Sequence, residues 1–197
     1  MKIVLFTYPE KAMLSLPDSA VVKNGNPFFI PDFDSRFEAK PYIAVKISRL
    51  GKSIAARFAH RYYEELAPAF NISAADLLIK LRRGQLPWTE ATGFDKSVPL
   101  GKFLPSDEIR KMELKLTLTD KEGNSRDASF PIPSDEEIAE AIERVSLTNS
   151  LKMGDLLLLP LSPIASTSSL SPVIQLENNT LLTIKADDRI LLDLPVR

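Results

Sequence analysis

Three acidic side chains near the start of the chain have a spacing that could gather a hard cation. Asp32 and Asp34 stand two residues apart, and Glu38 lies two residues before Lys40. Alternate residues of a strand face the same side, so carboxylates at such spacing can aim their oxygens into one cavity, and magnesium or calcium takes oxygen ligands. Acidic residues also serve simply to keep a loop in water, and that plainer reading carries more weight for this trio. The single histidine, His60, lies among Arg57, Phe58, Arg61 and Tyr62 and reads as a helix-surface residue, not a catalyst. There is no cysteine, which removes disulfides, thiolate catalysis and cysteine metal sites. No glycine-rich phosphate loop, zinc spacing or nucleophile elbow is present.

The elements that would position these residues follow from pattern. Residues 3–6 read as a strand and 24–27 as a turn, with a short apolar run at 28–30 closed by Pro31. Residues 42–47 read as a strand. Apolar spacing predicts a helix over 54–66, stopped by Pro68. A second helix is expected after Ser73 as N-cap, with Asp76 in its first turn. Leu114, Leu116 and Leu118 alternate with polar residues, so 114–118 is a half-buried strand, returning at 128–132 after a turn at 121–124. Ser134 with Glu137 caps a helix bearing Ile138, Ala141, Ile142 and Val145. Strands are expected at 156–159, 173–176, 181–184 and 190–194, with an exposed Ser/Pro-rich loop at 162–172. This order is α+β with a mixed or antiparallel sheet.

A chain of 197 residues, 44% of them hydrophobic, is expected to form one domain over 1–197. Its net charge of -1 argues against a nucleic-acid partner. The apolar run at 156–161 is far short of the roughly 20 residues that span a bilayer, so no membrane association and a cytoplasmic location are expected.

The stretch Gln85-Leu86-Pro87-Trp88-Thr89-Glu90-Ala91-Thr92-Gly93-Phe94-Asp95, followed by Pro99-Leu100-Gly101, resembles a signature of the short, single-domain fumarylacetoacetate-hydrolase superfamily. Ile43-Ala44-Val45 with Gly51-Lys52, Ser73-Ala74-Ala75-Asp76-Leu77, and Leu151 with Gly154-Asp155 are similar to further family blocks. The similarity is weakest over residues 1–35. The resemblance implies a mixed β-roll with a few flanking helices, usually a homodimer. It also implies a magnesium or calcium ion that helps hydrolyse, decarboxylate or isomerise a small oxo-acid.

The same resemblance places the family's three metal-binding carboxylates at Lys40, Tyr42 and Asn71, none of which is acidic. It places substrate-pocket positions at Ala75, Thr92, Leu159, Pro160 and Leu161, which also depart from the family's residues. The segment Thr7-Tyr8-Pro9-Glu10-Lys11 keeps only the tyrosine of an N-terminal block. Trp88, Phe94, Asp95, Pro99, Gly101, Gly154 and Asp155 are retained and read as structural. No metal cofactor is therefore expected, the relocated ligands Asp32, Asp34 and Glu38 being the alternative, and no residue is singled out as catalytic. The expected function is a catalytically degenerate binding or partner scaffold, or a subunit beside a paralogous enzyme. The alternative is a divergent hydrolase, isomerase or decarboxylase acting on an acylpyruvate or hydroxy-dienedioate. A further expectation is that the Lys40 ammonium attracts a carboxylate where the metal would sit.

Overall fold

The computed structural model describes residues 1–7, 12–162, 164 and 169–197. The chain opens with β1 (Ile3–Phe6) and β2 (Met13–Leu16), an antiparallel pair, then β3 (Val21–Lys23). Next come β4 (Phe37–Ile47) and β5 (Tyr63–Ala74), joined by a 3-10 turn at Ala56–Arg61. Helix α1 (Ala75–Arg83) and the short α2 (Thr89–Thr92) lead to β6 (Val98–Leu100), β7 (Leu104–Pro105) and α3 (Ser106–Ile109). The hairpin β8 (Leu114–Thr119) and β9 (Ser125–Phe130) is followed by α4 (Asp135–Thr148) and β10 (Leu156–Pro160). Strands β11 (Ile174–Gln175), β12 (Leu181–Ala186) and β13 (Arg189–Pro195) complete the chain.

These strands make two sheets. The larger runs β2-β1-β10-β4-β5-β6-β3, with β11 added to β4 and β7 to β5. It is mixed, because β1 pairs in parallel with β10 and β3 with β6. The smaller is antiparallel, in the order β13-β12-β8-β9. The mixed α+β architecture is the one expected from the order of elements.

Strands β4 and β5 are buried on both faces, and their alternation divides the interior. Phe37, Ile43 and Val45 of β4, with Leu66, Phe70 and Ile72 of β5, enter a large core. The four-stranded sheet and α4 close that core with Leu116, Leu182, Ile138 and Ile142. Burying each such side chain contributes roughly 1.5–3 kcal/mol. The opposite face carries Tyr42, Ala44, Ala67 and Ala69, which meet Ile3, Leu5, Leu156, Leu158 and Val98 in a second, smaller core. All of these come from one sheet, so that sheet curls round on itself. Alanines at 44, 67 and 69 keep its inner face thin enough to do so.

Two expected helical features are corrected. Residues 54–66 do not form a helix: only the 3-10 turn is helical, and β5 begins at Tyr63 with Pro68 inside it, opposite Ile43. A strand covered on both faces lacks the two-residue alternation that would mark it, so its apolar run resembles a helix in sequence. Ser73 is not an N-cap but a residue of β5. The helix starts at Ala75, and the cap residue, Ala74, has no side-chain cap. The strands at 3–6, 42–47, 114–118, 156–159, 181–184 and 190–194 are present, most of them longer than expected. The returning strand of the hairpin starts at Ser125. The loop expected at 162–172 lies partly outside the described residues. Among the described residues no helix is long and apolar enough to cross a membrane.

Tyr63 ties α4 to β5. Its hydroxyl donates to Asp135 Oδ1 (2.8 Å) in the first turn of α4, and Arg110 reaches the same oxygen (2.8 Å). Burial, and then the bond to Asp135, hold the phenol pKa above its usual 10.0. The folded protein therefore keeps this proton where the unfolded chain has lost it. The resulting stability is intact below about pH 10 and falls as pH rises beyond it. Tyr63→Phe is expected to cost about 1 kcal/mol near neutral pH. It should also flatten the decline above about pH 10, measured by urea unfolding across that range.

Candidate functional site

At one end of the curled sheet the small apolar core gives way to polar side chains. Strands β4 and β5 pair with Lys40 opposite Asn71, Tyr42 opposite Ala69 and Glu38 opposite Ser73. Leu5 and Thr7, at the end of β1, lie on the same side. Helix α1 contributes Leu78 and Arg82, and the α2 segment contributes Trp88 and Thr92. Together they enclose a cavity of ≈ 30 Å³. The three positions that sequence similarity assigned to metal ligands, Lys40, Tyr42 and Asn71, thus do converge, with Thr92 beside them.

Hydrogen bonds fix the walls. Asn71 Nδ2 donates to the Thr92 carbonyl (2.8 Å), and Thr92 Oγ1 donates to the Trp88 carbonyl (3.0 Å). The buried Ser73 hydroxyl has only a long 3.5 Å contact, to the Glu38 carbonyl. The Arg82 guanidinium lies 4.4 Å from the centre of the Trp88 ring, a cation–π contact. Lys40 is half-buried. Among the described residues no carboxylate is within ion-pair distance of its ammonium.

Helix α1 is anchored from outside. The Asp34 carboxylate accepts from the Leu77 amide (2.9 Å) and from the Arg36 amide (3.2 Å). The Arg36 carbonyl accepts from the Ala75 amide (2.8 Å). Asp76 accepts from the Ser35 hydroxyl (2.6 Å) and pairs with Arg36 (3.1 Å). Arg36 also reaches Glu38 (3.7 Å). Two members of the alternative trio, Asp34 and Glu38, are thereby engaged in helix anchoring and ion pairing. Asp32 is exposed. Among the described residues no three Asp, Glu, His or Cys side chains gather in a way that could hold a metal.

The other assigned positions separate. Ala75 is buried at the start of α1 and does not line the cavity. Leu159 and Pro160 face a different cleft of ≈ 300 Å³, shared with Phe6 and α4. Leu161 is buried in the large core. His60 is exposed on the 3-10 turn, beside Tyr63 and Asp135 in a shallow depression away from the cavity. Tyr8, Pro9, Glu10 and Lys11 lie outside the described residues. Asp155 is structural as expected, its carboxylate accepting from the Lys2 amide (2.7 Å) and the Lys152 amide (2.9 Å). Phe94 packs on Phe33 and Phe37 with ring centres 5.2 and 5.8 Å away. Trp88 forms a wall of the cavity. Arg82 was not recognised from sequence.

A divalent metal fits this donor set poorly. An ammonium carries no lone pair and repels the ion, and among the described residues no carboxylate lines the cavity.

Residues 5–159 match the family described as fumarylacetoacetate (FAA) hydrolase, C-terminal. Among curated proteins, an uncharacterised protein of Pyrococcus horikoshii is 28% identical over 156 residues, covering 76% of this chain and 65% of that protein. The mitochondrial oxaloacetate tautomerase of Rattus norvegicus is 26% identical over 155 residues, covering 76% of this chain and 67% of the enzyme. The chain thus spans about two thirds of the length of these relatives. Among solved structures, a fumarylpyruvate hydrolase of Pseudomonas aeruginosa, in complex with Mn2+ and pyruvate, superposes with a TM-score of 0.76 at 19% identity. That superposition covers 100% of this chain and 89% of the hydrolase. The 2-hydroxyhepta-2,4-diene-1,7-dioate isomerase of Mycobacterium marinum gives 0.74 at 22% identity, covering 99% of this chain and 73% of that one. At such identities the superpositions establish the shared fold.

The anchoring of α1 is directly testable. Asp34→Ala removes the acceptor of the Leu77 amide and is expected to cost about 1 kcal/mol in urea unfolding. Hydrogen exchange should quicken at Leu77 in the first turn of α1 while β4 stays protected.

Proposed function

The chain belongs to the fumarylacetoacetate hydrolase family, and we propose that it is a member that does not run metal-dependent chemistry and serves as a binding or partner scaffold. The observation that carries this reading is the convergence of Lys40, Tyr42 and Asn71 on one cavity with no carboxylate among the described residues that line it. A dication held about 5 Å from a fixed ammonium, at an effective dielectric of about 20, is repelled by several kcal/mol. Hard-cation sites counter such repulsion with anionic oxygens, and this cavity offers a phenol, an amide and hydroxyls instead. As a scaffold the chain would work in the cytoplasm as a homodimer or beside a paralogous enzyme subunit.

A second reading is a divergent hydrolase, isomerase or decarboxylase acting on a small oxo-acid with other groups. The enzyme names of the relatives favour it: the rat protein is an oxaloacetate tautomerase, and a Dictyostelium discoideum relative, 26% identical over 149 residues, is an oxaloacetate decarboxylase. Turnover separates the two readings.

Chelator-treated protein titrated with Mg2+ or Mn2+ in a calorimeter is expected to give no saturable heat. Oxaloacetate and acylpyruvates should react no faster than in buffer with the same metal. Saturable metal binding accompanied by turnover defeats the scaffold reading, and turnover without metal supports the second. Lys40→Glu/Asn71→Asp removes the cation and supplies two carboxylates, so this variant should gain saturable Mn2+ heat. Circular dichroism checks that its fold is intact.

A further inference from the structure

We infer that Asn24 is a self-modification site, where the chain deamidates and isomerises its own backbone once β13 releases it. Asn24 does not line the cavity, so the inference stands apart from whatever the cavity binds. Asn24-Gly25 is the only Asn-Gly pair in the chain. At such a pair no side chain on the second residue shields its amide nitrogen from the asparagine carbonyl. The Gly25 nitrogen loses its proton and bonds to Asn24 Cγ, and the side-chain nitrogen leaves as ammonia. The product is a succinimide ring. Water opens that ring at either carbonyl. One opening leaves Asp at position 24. The other leaves isoaspartate, whose main chain runs through the former side chain and is longer by one carbon. Water is the only co-reactant.

In the folded protein one residue of β13 holds both reacting groups. The Asp193 amide donates to Asn24 Oδ1 (2.8 Å), and the Gly25 amide donates to the Asp193 carbonyl (3.2 Å). The proton that must leave is thereby engaged, and the side chain that must swing onto the nitrogen is fixed by its oxygen. Gly25 adopts a φ of 83°, the left-handed conformation that shapes the turn. Asn24 is half-buried and Gly25 exposed, so water reaches the pair as soon as the clamp opens.

This clamp is the first link of a longer strap. Strand β13 lies at the end of the four-stranded sheet, and the chain after Asn24 covers its outer edge. The Phe28 amide donates to the Pro195 carbonyl, the Arg197 amide to the Phe28 carbonyl and the Ile30 amide to the Arg197 carbonyl, each at 2.8 Å. Isoaspartate at position 24 lengthens the backbone at the first link and takes the Gly25 amide out of register with Asp193. The edge of β13 is then uncovered, and an uncovered strand edge pairs with other chains. Ammonia once lost is not regained, so each opening that leads to reaction leaves a lasting mark.

The full chain is incubated at neutral pH, folded or in denaturant, and residue 24 is followed by peptide mass spectrometry. The unfolded chain is expected to convert about tenfold faster or more. Denaturant below the unfolding transition should raise the folded rate in step with hydrogen exchange at the Gly25 amide. The isoaspartate form, separated by ion exchange, should exchange faster at Gly25 and Phe28 and sediment as larger species than the parent. Freshly prepared Asn24→Asp keeps the backbone length and an oxygen acceptor, so it should match the parent in both measurements. Melting curves confirm that it is folded. Equal conversion in the folded and unfolded chain removes the clamp and overturns the inference. Unchanged protection of Phe28 in the isoaspartate form removes the effect on the strap. Loosening of Asn24→Asp equal to that of the isoaspartate form assigns the effect to charge and overturns the part given to the longer backbone.

Discussion

The pairing of β4 with β5 is the constraint on which the rest of the structure depends. It extends from Phe37 opposite Ala74 to Ile47 opposite Tyr63, with one irregularity next to Ile47. Side chains alternate between faces, so a slip of one residue would send Lys40 into the large core and Ile43 into the cavity. Both exchanges are prohibitive, the first because it strands a charge in an apolar interior. The two faces of this ladder thus supply the register, the division into two cores and the convergence of Lys40, Tyr42 and Asn71. Helices α1 and α2 close the end of the roll that the ladder has defined.

The parts of the fold legible in the sequence are those governed by neighbours in the chain. Ser134 and Glu137 make a reciprocal cap, the Ser134 hydroxyl accepting from the Glu137 amide (3.2 Å) and the Glu137 carboxylate from the Ser134 amide (2.7 Å). Strand β8 shows its alternation, because only one of its faces is covered. What stayed hidden is set by distant partners. Strand β5 is sheathed on both sides and carries no periodic mark. Helix α1 is capped by Asp34, which lies 43 residues before the Leu77 amide it receives. The candidate site was legible only through family resemblance, which named four of its walls, Lys40, Tyr42, Asn71 and Thr92, and missed Arg82. No spacing rule within the chain would have joined Lys40 to a guanidinium on a helix that follows the next strand.

Charge organisation separates the inside of the site from its surroundings. Asp34, Arg36, Glu38 and Asp76 form a belt of hydrogen bonds and ion pairs that holds α1 in place. Inside the belt, cationic and neutral groups line a space where sequence similarity places three acids. The acidic residues close to Lys40 in sequence are therefore structural anchors, and the cavity keeps a positive character despite a chain whose net charge is -1. Anchoring and cavity are linked through α1, because the helix that Asp34 holds also carries Arg82 to the cavity wall.

The parallel pairing of β1 with β10 has a consequence for how the molecule comes into being. Ile3 lies beside Leu156, and the Lys2 amide closes on Asp155 across a separation of 153 residues. During synthesis β1 must wait for its partner β10 until the whole intervening stretch of chain has been made. Until then Ile3, Val4, Leu5 and Phe6 have only β2 to shelter them. Native pairings of such long range are slow to form, and uncovered apolar edges invite association between nascent chains. A nascent polypeptide therefore carries β1 as an exposed apolar edge for as long as β10 is unmade.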